Sequence, residues 1–239
     1  MTPNHHLSKQ HGISDYRAIS TPNVKGFIYV ETDRYLPSPR PSFSSDQATR
    51  TTLENWAQAP LSEIRFLRRI VNRTPQDGDG FSHADSHLLK GAVLYAPMHI
   101  EPSAFEWYLR IAEEVAGPAL WEKVVGFRYL LQGKPAGEVK RLINSEDWLS
   151  NILSLRKGRG GRGWTFDVGI DTHRDGVDVL RDVSAFVEEV RRREEGDQGG
   201  HVRFILGMLL LPIPLHFPSS QLFYIKTYHL ISPLSTITQ

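Results

Sequence analysis

Val124-Val-Gly-Phe-Arg-Tyr-Leu130 decides how this chain is read, because apolar and aromatic residues occupy both of its faces and one charge, Arg128, stands among them. A strand of that kind is buried on both sides, as in a parallel sheet clothed by helices. The next segments supply the helices, with helical patterning from Glu138 to Ile143 and again from Glu146 to Leu155. A second strand, Trp164-Thr-Phe-Asp-Val168, then completes a strand-helix-strand unit. Such a crossover is long enough for parallel pairing and is almost always right-handed.

The same unit repeats on either side. Downstream, a helix from Val177 to Arg193 leads to the strand Val202-Arg-Phe-Ile-Leu206. Upstream, Gly91-Ala-Val-Leu-Tyr-Ala96 reads as a strand and Ser103 to Ala116 as a helix, started by Pro102-Ser103 and stopped by Gly117-Pro118. Further back, Gly26-Phe-Ile-Tyr-Val-Glu31 is the first clear strand. Tyr35 to Thr52, rich in Pro and Ser, reads as an exposed loop, and Pro60, Ile64, Leu67 and Ile70-Val71 form an apolar helical stripe. A ladder of this kind fits a barrel or an open doubly wound sheet. The first strand-helix turn has no Gly-x-Gly-x-x-Gly phosphate fingerprint, so the expected fold is α/β, a partial (β/α)8 TIM-like barrel.

Composition sets the outer bounds. At 239 residues, with 40% hydrophobic and 23% charged residues, the chain has an ordinary globular balance for one large domain. Its 28 basic and 27 acidic side chains leave a net charge of +1, which gives no field for nucleic acid or an anionic membrane and favours a small-molecule substrate. There are no cysteines, hence no disulfide and no thiolate chemistry, and the N-terminus does not read as a signal peptide, so the expected location is cytoplasmic. The apolar run from Phe204 to Phe217 is shorter than the roughly 20 residues of a membrane span and contains Pro212 and Pro214, so no membrane anchor is expected.

The composition changes after Leu206. Residues 207–239 carry a single formal charge, Lys226, against 23% charged residues in the whole chain. Gly207-Met208 can be encoded by GGT ATG, which contains the GTATG that opens many spliceosomal introns. The tail is therefore expected to be aberrant, a translated intron, behind a partial barrel at 24–206 and an N-terminal segment at 1–23.

The C-terminal ends of the strands are where a parallel α/β sheet keeps its chemistry. They deliver Glu31, Thr32, Asp33 and Arg34, then Met98 and His99, then Arg128, Tyr129 and Gln132, and finally Asp167, Asp171 and His173. Glu31 and Asp33 share a face if the strand extends that far and could divide acid and base roles, or one of them pairs with Arg34 or caps the next loop. Arg128 inside an apolar strand needs an anionic partner, either a substrate or an internal carboxylate from Glu31 or Asp167. His99 could be a base, an electrophile, a metal ligand or a structural residue.

Three other segments read as bland. His83-Ala-Asp-Ser-His87 lacks the Glu of a zinc-protease helix and is expected to be a solvated loop. Arg156-Lys-Gly-Arg-Gly-Gly-Arg-Gly163, without interleaved aromatics, is expected to be a flexible connection. His5-His6, in a chain start with no apolar pattern, is expected to be a mobile terminal pair.

Taken together, Gly26-Phe-Ile-Tyr-Val-Glu-Thr-Asp33, Ala96-Pro-Met-His99, Gly126-Phe-Arg-Tyr-Leu-Leu-Gln132 and Phe166-Asp-Val-Gly-Ile-Asp171 resemble the amidohydrolase-related family, in its sugar-lactonase and 2-pyrone-4,6-dicarboxylate-lactonase-like branch. The resemblance covers roughly residues 3–206 and rests on the order and spacing of these segments. It implies a distorted (β/α)8 barrel, with about strands 2 to 6 present, that hydrolyses a lactone or related small acid ester. It places Arg128 as the substrate-binding arginine and His99 at a strand end that lines the pocket, while Glu31, Asp33 and Asp167 are further substrate-side candidates by their strand-end positions.

The departures from the family matter equally. The His-x-His pair of the family's first strand has no counterpart before Val24, Gly207-Met208 stands where an Asn-His segment belongs, and the final Asp that activates water is missing. Catalytic residues and metal ligands therefore cannot be carried over, although a divalent metal such as zinc would suit a complete member. The resemblance thus implies a chain truncated at both ends and weakly active or inactive. Alternatives are a barrel decarboxylase or hydratase of the same superfamily, or a non-catalytic fragment that self-associates through open sheet edges.

Overall fold

The computed structural model describes residues 12–20, 23–32, 46–135, 137–158, 163–196 and 200–209. It is a mixed α/β protein with a five-stranded sheet in the order β1-β2-β3-β4-β5. The strands are Phe27–Val30, Leu89–Tyr95, Val124–Leu130, Thr165–Asp171 and Arg203–Leu209. The pairings β1 to β2, β3 to β4 and β4 to β5 are all parallel. A doubly wound sheet reverses its order at a switch point, and this order runs without reversal. The chain divides into two compact units, Met1–Leu94 with Trp107–Val125, and Tyr95–Glu106 with Gly126–Gln239.

The first unit holds α1 (Ile13–Ile19), α2 (Asp46–Trp56), α3 (Gln58–Asn72) and most of α4 (Pro102–Trp121), with β1 and β2. On α3, Leu61, Ile64, Leu67 and Ile70 recur at helical spacing and all are buried. Each such side chain contributes about 1.5–3 kcal/mol by leaving water. Arg73 ends the helix in a left-handed conformation, φ 60°, and its N–H returns to the carbonyls of Arg69 and Ile70.

Two differences from the sequence reading appear in this unit. The stretch expected to be a loop up to Thr52 is helical from Asp46, because Leu53 and Trp56 are buried and Arg50 reaches both Glu54 and Glu114. Tertiary packing thus overrides the weak helix propensity of a Thr-rich segment. The stop at Gly117-Pro118 is present as a kink, since Gly117 has φ 67° and ψ 168° and Pro118 starts a further turn.

The second unit holds β3, β4 and β5 with α5 (Glu138–Ile143), α6 (Glu146–Ser154), α7 (Thr172–Asp175) and α8 (Asp178–Glu194). Residues alternate across each strand, so the in-register Phe127, Phe166 and Phe204 share one face. Trp148 of α6 meets Phe166 edge-on at 6.1 Å, and Phe186 of α8 meets Phe204 edge-on at 5.6 Å, so both helices cover that face. The opposite face carries Gly126, Arg128 and Leu130 of β3, with Thr165, Asp167, Gly169 and Asp171 of β4. Gly126 is required by close approach, because a Cβ there would stand 2.2 Å from the Thr165 carbonyl oxygen.

β4 and β5 both outrun their expected ends. Pairing of Gly169 with Gly207, Ile170 with Met208 and Asp171 with Leu209 carries β5 three residues past Leu206. Residues 210–239 lie outside the described residues. Among the described residues no helix is long and apolar enough to cross a membrane.

Candidate functional site

Arg128 enters the fold as the fifth residue of β3, in register with Asp167 of β4 and therefore on the same face. Its Nε lies 4.0 Å from Asp167 Oδ2, and the two side chains are 15% and 6% exposed. The sequence left a structural carboxylate and a ligand open for Arg128, and Asp167 is one of the carboxylates it named. The guanidinium extends along the sheet toward Gly169. A Cβ on that glycine would fall 2.5 Å from Arg128 Nη2 and 3.0 Å from its Nε.

The backbone around this pair is tied down. Leu131 and Gln132 donate their N–H groups to the Gly169 carbonyl at 3.1 and 2.9 Å. Asp175 accepts from the Gly133 amide at 3.1 Å and from the Asp171 amide at 3.3 Å, so one carboxylate fastens the ends of β3 and β4 together. The sequence reading missed Asp175; the available signal is Asp before Gly176, whose φ of 78° closes the short α7. His173 belongs to α7 as well.

His99 is held in a different environment. The Asn151 amide donates to the Met98 carbonyl at 3.1 Å and to the Ile100 carbonyl at 2.8 Å, bracketing His99 in the turn after β2. The imidazole meets the Tyr129 ring edge-on at 5.2 Å, and Tyr129 meets Trp148 at 5.1 Å. Tyr129 lies on the opposite face of β3 from Arg128, so His99 packs with the aromatic, helix-covered side. Asn151 escaped the sequence reading, although an amide between the buried Leu149 and Ile152 is its own signal.

Glu31 belongs to the first unit, where its amide donates to the Val93 carbonyl at 3.0 Å and its side chain is buried. Nearby, buried Glu63 of α3 accepts from the Tyr29 hydroxyl at 2.5 Å and the Thr32 hydroxyl at 2.8 Å. Burial, then the charges of Glu63 and Glu31, push the Tyr108 hydroxyl pKa well above its ordinary value. Of these two buried carboxylates the sequence marked only Glu31. Asp33 lies outside the described residues.

Of the bland segments, His83-Ala-Asp-Ser-His87 is a 3₁₀ turn rather than a solvated loop, because Asp85 is buried and accepts from the Ser82 amide and hydroxyl at 2.7 and 2.8 Å. Its histidines bond carbonyls of Arg73 and Ala84. In the basic segment, Arg156 is buried and donates to the Gly200 carbonyl at 2.8 Å, while 159–162 lie outside the described residues, as do His5 and His6. Among the described residues no group of three His, Cys, Asp or Glu side chains could hold a metal ion. No protein-family model matches the chain, and no curated protein or solved structure matches it.

Proposed function

We propose that this chain is the substrate-binding part of a (β/α)8-type hydrolase related to the amidohydrolases, acting on a small lactone or a related carboxylic or sugar-acid ester. The observation that carries the reading is Arg128, a guanidinium near the C-terminal end of a parallel strand, laid over a glycine and beside one carboxylate at 4.0 Å. Ligands of parallel α/β sheets are held at those strand ends. Helices α6 and α8 cover the Phe127 face, which leaves the Arg128 face to line the interior of a barrel.

A guanidinium offers five donors in a planar fork suited to a carboxylate or an ester carbonyl. In the proposed role it orients the acid and draws charge from the carbonyl oxygen as water adds.

Titration with aldonates and small dicarboxylates, beside a pH-stat assay on the corresponding lactones, tests the reading. Saturable binding is expected, and Arg128→Met should weaken it at least about tenfold, as expected for lost charge-assisted hydrogen bonds. Undiminished affinity in the variant, or no saturable binding by the parent chain, would contradict it.

A further inference from the structure

We infer that Gly169 is a positioning residue for Arg128: the missing side chain leaves the lane in which the guanidinium lies across β4 toward Asp167. The inference rests on Arg128 as the ligand-holding group and names what aims it. Gly169 sits one step beyond the Arg128–Asp167 register pair on the same face. A Cβ there would come within 2.5 Å of Arg128 Nη2, 3.0 Å of its Nε and 2.9 Å of Leu130 Cδ1, all closer than van der Waals contact allows.

No left-handed conformation explains this glycine, since the positive-φ glycines do not include it. Its backbone suits any residue. The constraint is one of space, and the atoms that fill the space are side-chain ends on β3. Flexible side-chain ends can move aside, so alanine at 169 leaves the sheet intact while turning the guanidinium away from Asp167. Gly169 also accepts the Leu131 and Gln132 amides through its carbonyl, and alanine keeps that carbonyl.

The test compares Gly169→Ala, Arg128→Met and Asp167→Asn with the Gly169→Ala/Arg128→Met and Gly169→Ala/Asp167→Asn pairs in the full chain. Two-dimensional NMR follows the Arg128 Nε–H signal, assigned by its loss in Arg128→Met, and titration with small dicarboxylates follows affinity. Gly169→Ala should retain the parent circular dichroism spectrum and move the Arg128 signal. Asp167→Asn should shift that signal in the parent chain but not in the Gly169→Ala background. Affinity should fall at least about tenfold in Gly169→Ala and fall no further in Gly169→Ala/Arg128→Met. An Arg128 signal that stays in place and still responds to Asp167→Asn overturns the inference, whatever the binding data show. Loss of binding in Arg128→Met alone, with Gly169→Ala unaffected, overturns it while leaving the proposed function standing. Absence of binding by the parent chain tells against the proposed function, and the NMR arm still decides the role of Gly169.

Discussion

Asp85 illustrates how a single carboxylate can hold a segment that looks unstructured. Burial alone would raise its pKa, but the Ser82 amide and hydroxyl and then the Arg17 guanidinium outweigh it, and the carboxyl titrates below the usual range. A depressed pKa means stability that is present above the unfolded value of about 3.9 and lost as pH falls through the folded value. Asp85→Ala should cost about 1–2 kcal/mol at neutral pH, as losing a helix cap does, and should flatten the loss of stability below about pH 4. Urea denaturation at pH 7 and pH 3 measures both, and an unchanged acid dependence would contradict the assignment. Other residues differ in how visible they are in the sequence. Arg128 stands out because a charge in a two-sided apolar strand demands a partner. Glu63 does not, because a Glu beside Leu61 and Ile64 reads as the wet edge of an amphipathic helix until Tyr29 and Thr32 are folded against it.

At the scale of elements, β3 shows what the sequence encodes locally and what it leaves to pairing. Its bounds follow from β-branched and aromatic residues alone, whereas β4 and β5 lengthen each other through Gly169–Gly207 and Asp171–Leu209, residues with no strand signal of their own. Partner strands, not local propensity, set such ends. Helix α2 is hidden for a related reason, since Leu53 and Trp56 acquire meaning only once α3 and α4 are beside them. Gly126 is the sharpest element-level constraint: a methyl group would meet the Thr165 carbonyl oxygen at 2.2 Å, and backbone cannot swing aside as a side chain can. Gly126→Ala should destabilise by about 1–3 kcal/mol, a fall in melting midpoint of roughly 4–10 °C. Thermal melts comparing it with Gly78→Ala, where a Cβ meets nothing within 4 Å, separate crowding from the positive φ of 81° at the second site. An unshifted midpoint for Gly126→Ala would refute the close pairing of β3 and β4.

For the whole molecule, the sequential order β1-β2-β3-β4-β5 is the feature from which the functional account grows. It predicts a graded pattern of amide exchange. Strands that have a neighbour on each side among the described residues, β2 to β4, should exchange more slowly than β1 and β5. Uniform protection across the five strands would contradict that order. The strand-helix alternation was legible because both faces of the strands are apolar, but which side chains share a face with Arg128 was not. Only register and helix packing separate Arg128 and Asp167 from the Tyr129 and His99 side. The most direct test of the account is a crystal structure of the chain with a bound aldonate or small dicarboxylate. A carboxylate within about 2.7–3.2 Å of the Arg128 guanidinium nitrogens, on the face shared with Asp167 and Gly169, is the predicted result. A carboxylate bound elsewhere, with the Arg128 guanidinium closed onto Asp167, would contradict it.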